Sequence, residues 1–407
     1  MTLTGSPRAR RITIAYFTVV VLSFVVSLTR IDPLLFPGDF ISFYGAGFML
    51  SEGRGADLYD VARQAQLQEQ LLAATGRDIN GAVIKFFYPA ALGWIFLPLT
   101  GLPLLWAYLV WSLLGVGFLI GSIYLLGEQA GGPGPSVKVL VLAGLSFFPI
   151  LECLLQGQSS LFFLFLLAGF YVLLGSRMDF AAGLVLGAVF LKPQLPALLL
   201  LLLFLQRKGR VVAGCLVSIL LLGLISVLTI GPAQVWGYLA SAPQLLEDPG
   251  IRVELMPNLR GTLHRLDSWL GLDMRAGTLW WASILLALAC LSGFVPGWLS
   301  RGPDRALGLM IAESVLLGLL LTPHLFAYDL ALGIVPFLIL LARIQDDPWR
   351  TRLLQLMLLI HLSAFFLNFL VPKPWLEQTL FVGLVLTVWL AAKSLRKDDS
   401  IPLEAPR

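Results

Sequence analysis

Long apolar runs, recurring along the whole chain with little charge inside them, are the feature that most limits how this sequence can fold. The first covers about residues 12–28. Others lie at about 103–126, 138–152, 158–175, 180–192, 193–206, 211–231, 278–299, 306–321, 325–343, 352–371 and 377–395. A run of about 20 apolar residues crosses a bilayer as a helix, because a helix satisfies every backbone polar group where no water is at hand. Only 13% of the 407 residues are charged and 58% are apolar. A soluble domain is roughly a quarter charged, so this chain lacks the charge to cover a water-facing surface. The sequence reads as an all-α, polytopic membrane protein of about twelve transmembrane helices, forming a single integral membrane domain over residues 1–407. The segments 138–152, 180–192 and 193–206 fall short of a bilayer, and such helices end inside protein or beside water.

Charge orients the helices. Arg8, Arg10 and Arg11 precede the first run as in a signal peptide, yet no cleavage signature follows and further spans do. The first run is therefore expected to be an uncleaved helix with its N-terminus inside. Placing both termini in the cytoplasm, with a tail at 396–407, puts most of the 28 Lys and Arg on the shorter, cytoplasmic loops. That is the bias expected of a multi-pass protein of the inner (plasma) membrane. Two long outside segments remain, about 30–102 and 232–277. Within the first, residues 88–101 are apolar but short and carry Pro89 and Pro98, so they are expected to form an interfacial or re-entrant helix. A net charge of +4 over so long a chain makes no basic stripe, which excludes nucleic acid as a partner. Cys153, Cys215 and Cys290 form no CxxC pair and read as small buried hydrophobes.

The polar residues that remain gather at the outer ends of the runs and in the two outside segments, which places a candidate site at the outer membrane boundary. Asp39 follows Pro37-Gly38 and precedes an amphipathic stretch, so it can cap a helix or aim a carboxylate into a cleft. A second amphipathic segment follows Asp57-Leu58-Tyr59-Asp60, and both segments can lie flat on the membrane, among membrane lipids, where a head group is presented. Glu152 and the amides of Gln156 and Gln158 flank a Gly turn, a set suited to sugar hydroxyls and equally to helix capping. Lys192 interrupts an apolar stretch; a lysine at mid-membrane costs about 2.5–3.5 kcal/mol, so it faces a cavity or an anion such as phosphate, or snorkels to the surface. His264, flanked by Arg260 and Arg265, can reach phosphate or be an ordinary solvated loop residue. His361 reads as a packing residue. His324 follows Thr322-Pro323 and is spaced to share a helical face with Tyr328 and Asp329. Asp329 and Glu313 both lie in apolar runs and are costly unless paired. No phosphate-binding Gly loop, dinucleotide fingerprint, serine elbow or His/Cys metal cluster occurs, which disfavours ATP-driven transport, dinucleotide chemistry and serine hydrolysis; no metal ligands and no cofactor are expected, with a divalent ion left open.

Taken in order, Asp39, Tyr44 with Ala46, Gly53 with Leu58-Tyr59-Asp60, Phe87-Tyr88-Pro89, Gly157-Gln158, Lys192-Pro193 and Thr322-Pro323-His324 resemble the bacterial polyprenol-phosphate-dependent glycosyltransferases of the alpha-mannosyltransferase type, which have the GT-C fold. The resemblance implies that a hexose, with mannose favoured, moves from a polyprenyl-phosphate sugar donor to a lipid or glycan acceptor hydroxyl on the outer face, with inversion. It further implies Asp39 as general base, Lys192 and His324 on the donor phosphate, and Gln158 on the sugar side. Arg260 and His264 are candidates for the same phosphate, and Glu152, Tyr59, Tyr88, Tyr328 and Asp329 for sugar or acceptor. Two other classes fit the composition: a transporter or flippase of a lipid-linked sugar, and a non-catalytic scaffold of the cell envelope. A flippase needs a polar path to the inner side, and few polar residues besides Glu313 fall on the inner halves of the runs.

Overall fold

The computed structural model describes residues 38–73, 83–129, 137–246, 251–300, 307–343, 378–383 and 385–387. The first apolar run, the run at 352–371 with His361, and the C-terminal tail lie outside these residues. Every described element is helical: α1 Phe40–Ser51, α2 Val61–Ala73, a mixed 3-10 and α segment α3 Ala90–Gly101, α4 Leu104–Gln129, α5 Val137–Leu145, α6 Phe148–Gln156, α7 Ser160–Gly175, α8 Asp179–Val189, α9 Ala197–Leu205, α10 Gly209–Ile230, α11 Pro232–Leu246, α12 Leu259–Leu270, α13 Ala276–Ser300 and α14 Leu307–Leu321, then a 3-10 turn Ala327–Gly333 leading into α15 Ile334–Arg343.

Three described helices are long and apolar enough to cross a membrane: Leu104–Gly127 within α4, α10 and α13. The other apolar helices are shorter, so the described residues do not by themselves supply the twelve crossings that the runs suggest. The run at 138–152 is two helices, because Phe147 is extended at the start of α6 and Pro149 sits in the first turn, where its missing N–H costs nothing. Likewise the stretch 180–206 breaks after Val189 and resumes at Ala197, with Lys192 and Pro193 in the turn between.

Burial separates the helices by role. α14 is apolar apart from Glu313 and Ser314 and is buried along nearly its whole length, which makes it a central helix. In contrast α10 and α13 present many exposed leucines, as a face toward lipid requires. α8 and α10 approach closely along a seam of small residues. A Cβ added to Gly183 would stand 2.1 Å from the Val211 carbonyl oxygen, and one on Gly214 2.2 Å from that of Phe180. Glycines at such a crossing let two backbones come near enough to replace lipid with direct packing. Of the cysteines, Cys153 and Cys215 are buried and Cys290 is half-buried.

The segment that follows α1, up to Tyr88, is held together by side-chain amides. Gln68 of α2 both accepts from the Ile84 N–H (3.1 Å) and donates to the Ile84 carbonyl (2.7 Å), as a neighbouring strand would. One turn earlier, Gln64 accepts from the Phe86 N–H (2.8 Å) and donates to the Leu58 carbonyl (2.8 Å). These bonds satisfy a stretch that has no ladder of its own and fix the direction in which it delivers Tyr88.

Candidate active site

Two glycines bring the first pieces of the site together. Gly38 (φ 54) and Gly157 (φ 61) are both left-handed, and each faces the other's segment. A Cβ on Gly38 would stand 2.8 Å from Gln156 Cα, and one on Gly157 2.5 Å from Phe40 Cβ. Only residues without a side chain permit this conformation and this approach together. As a result the start of α1 lies against the α6–α7 turn, and Gln158 Nε2 donates to Asp39 Oδ2 at 2.5 Å. Asp39 sits at the N-cap of α1 in a helical conformation, and its carboxylate makes no capping bond. Of the two uses open to it, the structure shows the carboxylate turned toward Gln158. Burial raises the pKa of Asp39, while the Gln158 amide and the charge of Lys192 pull it down and Asp329 adds to the rise.

Lys192 comes from the turn between α8 and α9 and is 1% exposed, so it does not snorkel. Its ammonium lies 2.5 Å from Asp329 Oδ1 and over the rings of Tyr328 (5.1 Å to the centroid) and Tyr88 (5.8 Å). The same Asp329 oxygen accepts from Ser160 Oγ at 2.6 Å, and Oδ2 faces the Phe326 N–H at 3.4 Å. Three segments far apart in sequence thus meet at one carboxylate: the first residue of α7, the α8–α9 turn and the 3-10 turn. A buried ion pair is tolerated when its remaining polar groups are satisfied, and the Ser160 hydroxyl and the aromatic faces serve that need.

His324 is not helical. It lies in the irregular stretch between α14 and the 3-10 turn, because Pro323 disfavours a helical residue before it and supplies no N–H. The expected shared helical face with Tyr328 is therefore replaced by a ring chain: His324 packs edge-on against Phe326 (5.2 Å), which lies 5.7 Å from Tyr328. Burial pushes the His324 imidazole down to about 4; Lys192 and Arg260 lower it further and Asp329 opposes them. It is neutral at ordinary pH and offers a hydrogen bond rather than a charge.

The segment from Arg252 to Leu270 closes on this turn. Asn258, which caps α12 by accepting from the Gly261 N–H, donates through Nδ2 to the Thr322 carbonyl (2.9 Å). Arg260 donates to the Pro323 carbonyl (3.2 Å) and stacks on Trp280 (4.9 Å). His264 stands one turn further along α12, half-buried, where burial and Arg260 lower its pKa and Asp267 and Glu254 raise it. Tyr59 is occupied structurally, donating to the Tyr88 carbonyl (2.8 Å) and stacking on Tyr238 (4.9 Å). Glu152, on α6, lies near enough for its charge to act on Tyr328.

The structure therefore brings Asp39, Gln158, Lys192, Asp329, Tyr88, Tyr328 and His324 together. Arg260 adjoins them through Pro323, and no described contact joins His264 to Asp39, Lys192 or Asp329. Ser160, Asn258, Gln64 and Gln68 are supporting residues that the sequence reading passed over. The Ser-Ser pair after the Gly157-Gln158 turn was the one available signal for Ser160. A base held by an amide, a buried ammonium and a neutral imidazole form a set that can accept a proton and bind an anion.

The family model for glycosyltransferase family 87 matches residues 86–323, more than half of the chain. The protein belongs to that family. Its match spans Tyr88, Gln158, Lys192 and residues 232–277, and ends at Pro323, one residue before His324. Asp39 precedes it. Neither the curated proteins nor the solved structures give a match. Family membership and the apolar helices together make this a membrane glycosyltransferase.

Proposed function

We propose that the protein transfers a hexose, with mannose favoured, from a polyprenyl-phosphate sugar to a hydroxyl of a lipid or glycan, in one inverting step on the outer face of the inner membrane. The chain acts as one catalytic membrane domain of GT-C type, with both termini cytoplasmic. The observation that carries this reading is the Asp39 carboxylate, held by Gln158 within electrostatic range of the Lys192–Asp329 pair.

The acceptor hydroxyl attacks the anomeric carbon, and its proton passes to Asp39 as the new C–O bond forms. The bond from that carbon to the phosphate oxygen breaks in the same step, and the polyprenyl phosphate leaves with its electron pair. Charge grows on the phosphate as it departs. The Lys192 ammonium, which has N–H groups beyond the one given to Asp329, and the His324 imidazole hold that phosphate, with Arg260 behind them. Gln158 keeps the base turned toward the reacting hydroxyl. Tyr88 and Tyr328 flank the ammonium and exclude water from it, which strengthens its pull on the leaving group.

The test is incubation of purified, reconstituted protein with labelled polyprenyl-phosphate sugars and a lipid-extract acceptor pool, with products read by mass spectrometry. A hexose-bearing lipid or glycan, formed from the lipid-linked donor and not from a nucleotide sugar, is the expected product. Transfer from the nucleotide sugar alone, or transport of the donor across the vesicle without transfer, sinks the proposal.

A further inference from the structure

α12 has two different ends. Its first turn is clamped to the Thr322–Pro323 turn by Asn258 and Arg260, and Arg265 ties its middle to the Glu254 and Met256 carbonyls at 2.8 and 3.0 Å. Its C-terminal third and the loop that follows carry Leu266, Trp269, Leu270, Leu272 and Met274, all exposed, with Trp269 at 73% and Leu270 and Leu272 at 57%. This tip is not a loose end. Gly271 closes the helix in a left-handed conformation (φ 61). Asp267 then accepts from the Leu272 N–H through its carbonyl (3.1 Å) and from the Met274 N–H through its carboxylate (3.0 Å). A folded tip that holds five apolar side chains outward cannot be accounted for by exposure to water, because single apolar residues scatter over a surface but clusters of this kind mark a contact.

The neighbourhood says what the contact is. The apolar span α13 begins at Ala276, two residues after Met274, and its first turns carry the exposed Trp281. Arg275 stands exposed between tip and span, a position from which a guanidinium can reach lipid phosphates. The tip is therefore continuous with the exposed apolar face of a helix long and apolar enough to cross a membrane, and Trp beside Leu and Met is the composition of a segment resting at the membrane boundary.

We propose that the tip formed by residues 266–274 is seated in the lipid head-group layer at the site end of the molecule, so that α12 is a strut fixed to the bilayer at one end and to the turn bearing His324 at the other. The occupant is the bilayer itself, and the inference does not depend on the sugar-transfer reaction.

Its test uses the full-length protein in phosphatidylcholine–phosphatidylglycerol vesicles. The emission of the Trp269→Phe variant is subtracted from that of the parent, isolating the Trp269 component, in vesicles whose acyl chains carry bromine close to the head group or deep in the core. Because a seated segment lies about 5–10 Å into the boundary, that component is expected to fall by at least about half with shallow bromine and by less with deep bromine. Emission unchanged by either lipid but quenched by aqueous iodide overturns the proposal. Cross-linking of a cysteine placed at Leu272 to a second copy, with no bromine quenching, overturns it in favour of self-association. A Leu270→Asp variant, exposed and so able to fold, is expected to lower the shallow quenching of Trp269; unchanged quenching there also counts against the seat.

Discussion

The two ends of the helical bundle handle buried polarity in different ways. At the site end, Asp329 is shared by an ammonium and a hydroxyl, Asp39 by an amide, and a neutral imidazole stands close by. At the other end, Glu313 of α14 accepts from the Trp298 indole at 2.8 Å, and Gln206 donates to the Trp298 carbonyl. At both ends these three carboxylates receive a hydrogen bond. Only the first assembles groups able to move a proton and hold an anion, drawn from turns rather than from helix interiors. Turns can be re-aimed by a glycine or a proline, whereas Glu313 and Trp298 lie within helices and act by pinning α13 to α14. A buried acid in a membrane protein is thus not in itself a catalytic sign; its partners are.

The sharpest way to break this contrast is Asp39→Asn. Removing a positioned general base lowers transfer by about 10²–10⁴-fold, with expression unchanged, and a variant that keeps full activity removes Asp39 from the mechanism. Next comes Asp329→Ala, which leaves a buried ammonium alone and is expected to cost about 3–5 kcal/mol in detergent unfolding. Combining it with Lys192→Met removes both charges, so the double variant should regain much of that stability while transfer stays lost. If stability does not return, the pair is not coupled.

The pH dependence follows from burial. The pKa of Asp39 is raised, so the base form is lost, as pH falls, earlier than for a free carboxylate. The acidic limb of kcat/KM is therefore expected above about pH 4, the range of an unperturbed carboxylate. A limb at or below that value contradicts the burial. The smallest effect belongs to the far end. Trp298→Phe removes one buried donor to Glu313 and is expected to cost about 1–3 kcal/mol of stability with transfer retained, as measured by the same assays.

Much of the site was legible because a charge in an apolar run has to be explained. Lys192, Asp329 and Glu313 stood out on cost alone, and His324 through the Pro before it. Their partners were not legible. Lys192 and Asp329 are 137 residues apart, and Glu313 finds an indole on another helix. Pairings of that kind depend on how helices pack, which hydrophobic patterning does not encode. Gln64 and Gln68 were invisible for a different reason, since a glutamine on an amphipathic helix reads as a water-facing residue until an unpaired stretch of backbone lies beside it. A Cβ on Gly187 of α8 would stand 2.4 Å from Ser218 Cβ of α10, so its four-residue spacing from Gly183 marks close helix packing, but a spacing within one helix does not name the partner helix.

The separation of Lys192 from Asp329 also sets an order of events during synthesis. The lysine leaves the ribosome well before the aspartate that neutralises it, so for that interval it lacks the partner it has in the finished fold, and an unpaired lysine is costly to place within lipid. Completion of the site is then tied to the arrival of the last third of the chain. A nascent protein stalled before Asp329 should expose Lys192 to a water-soluble amine reagent, and the finished protein should hide it; the site would double as a checkpoint on complete insertion.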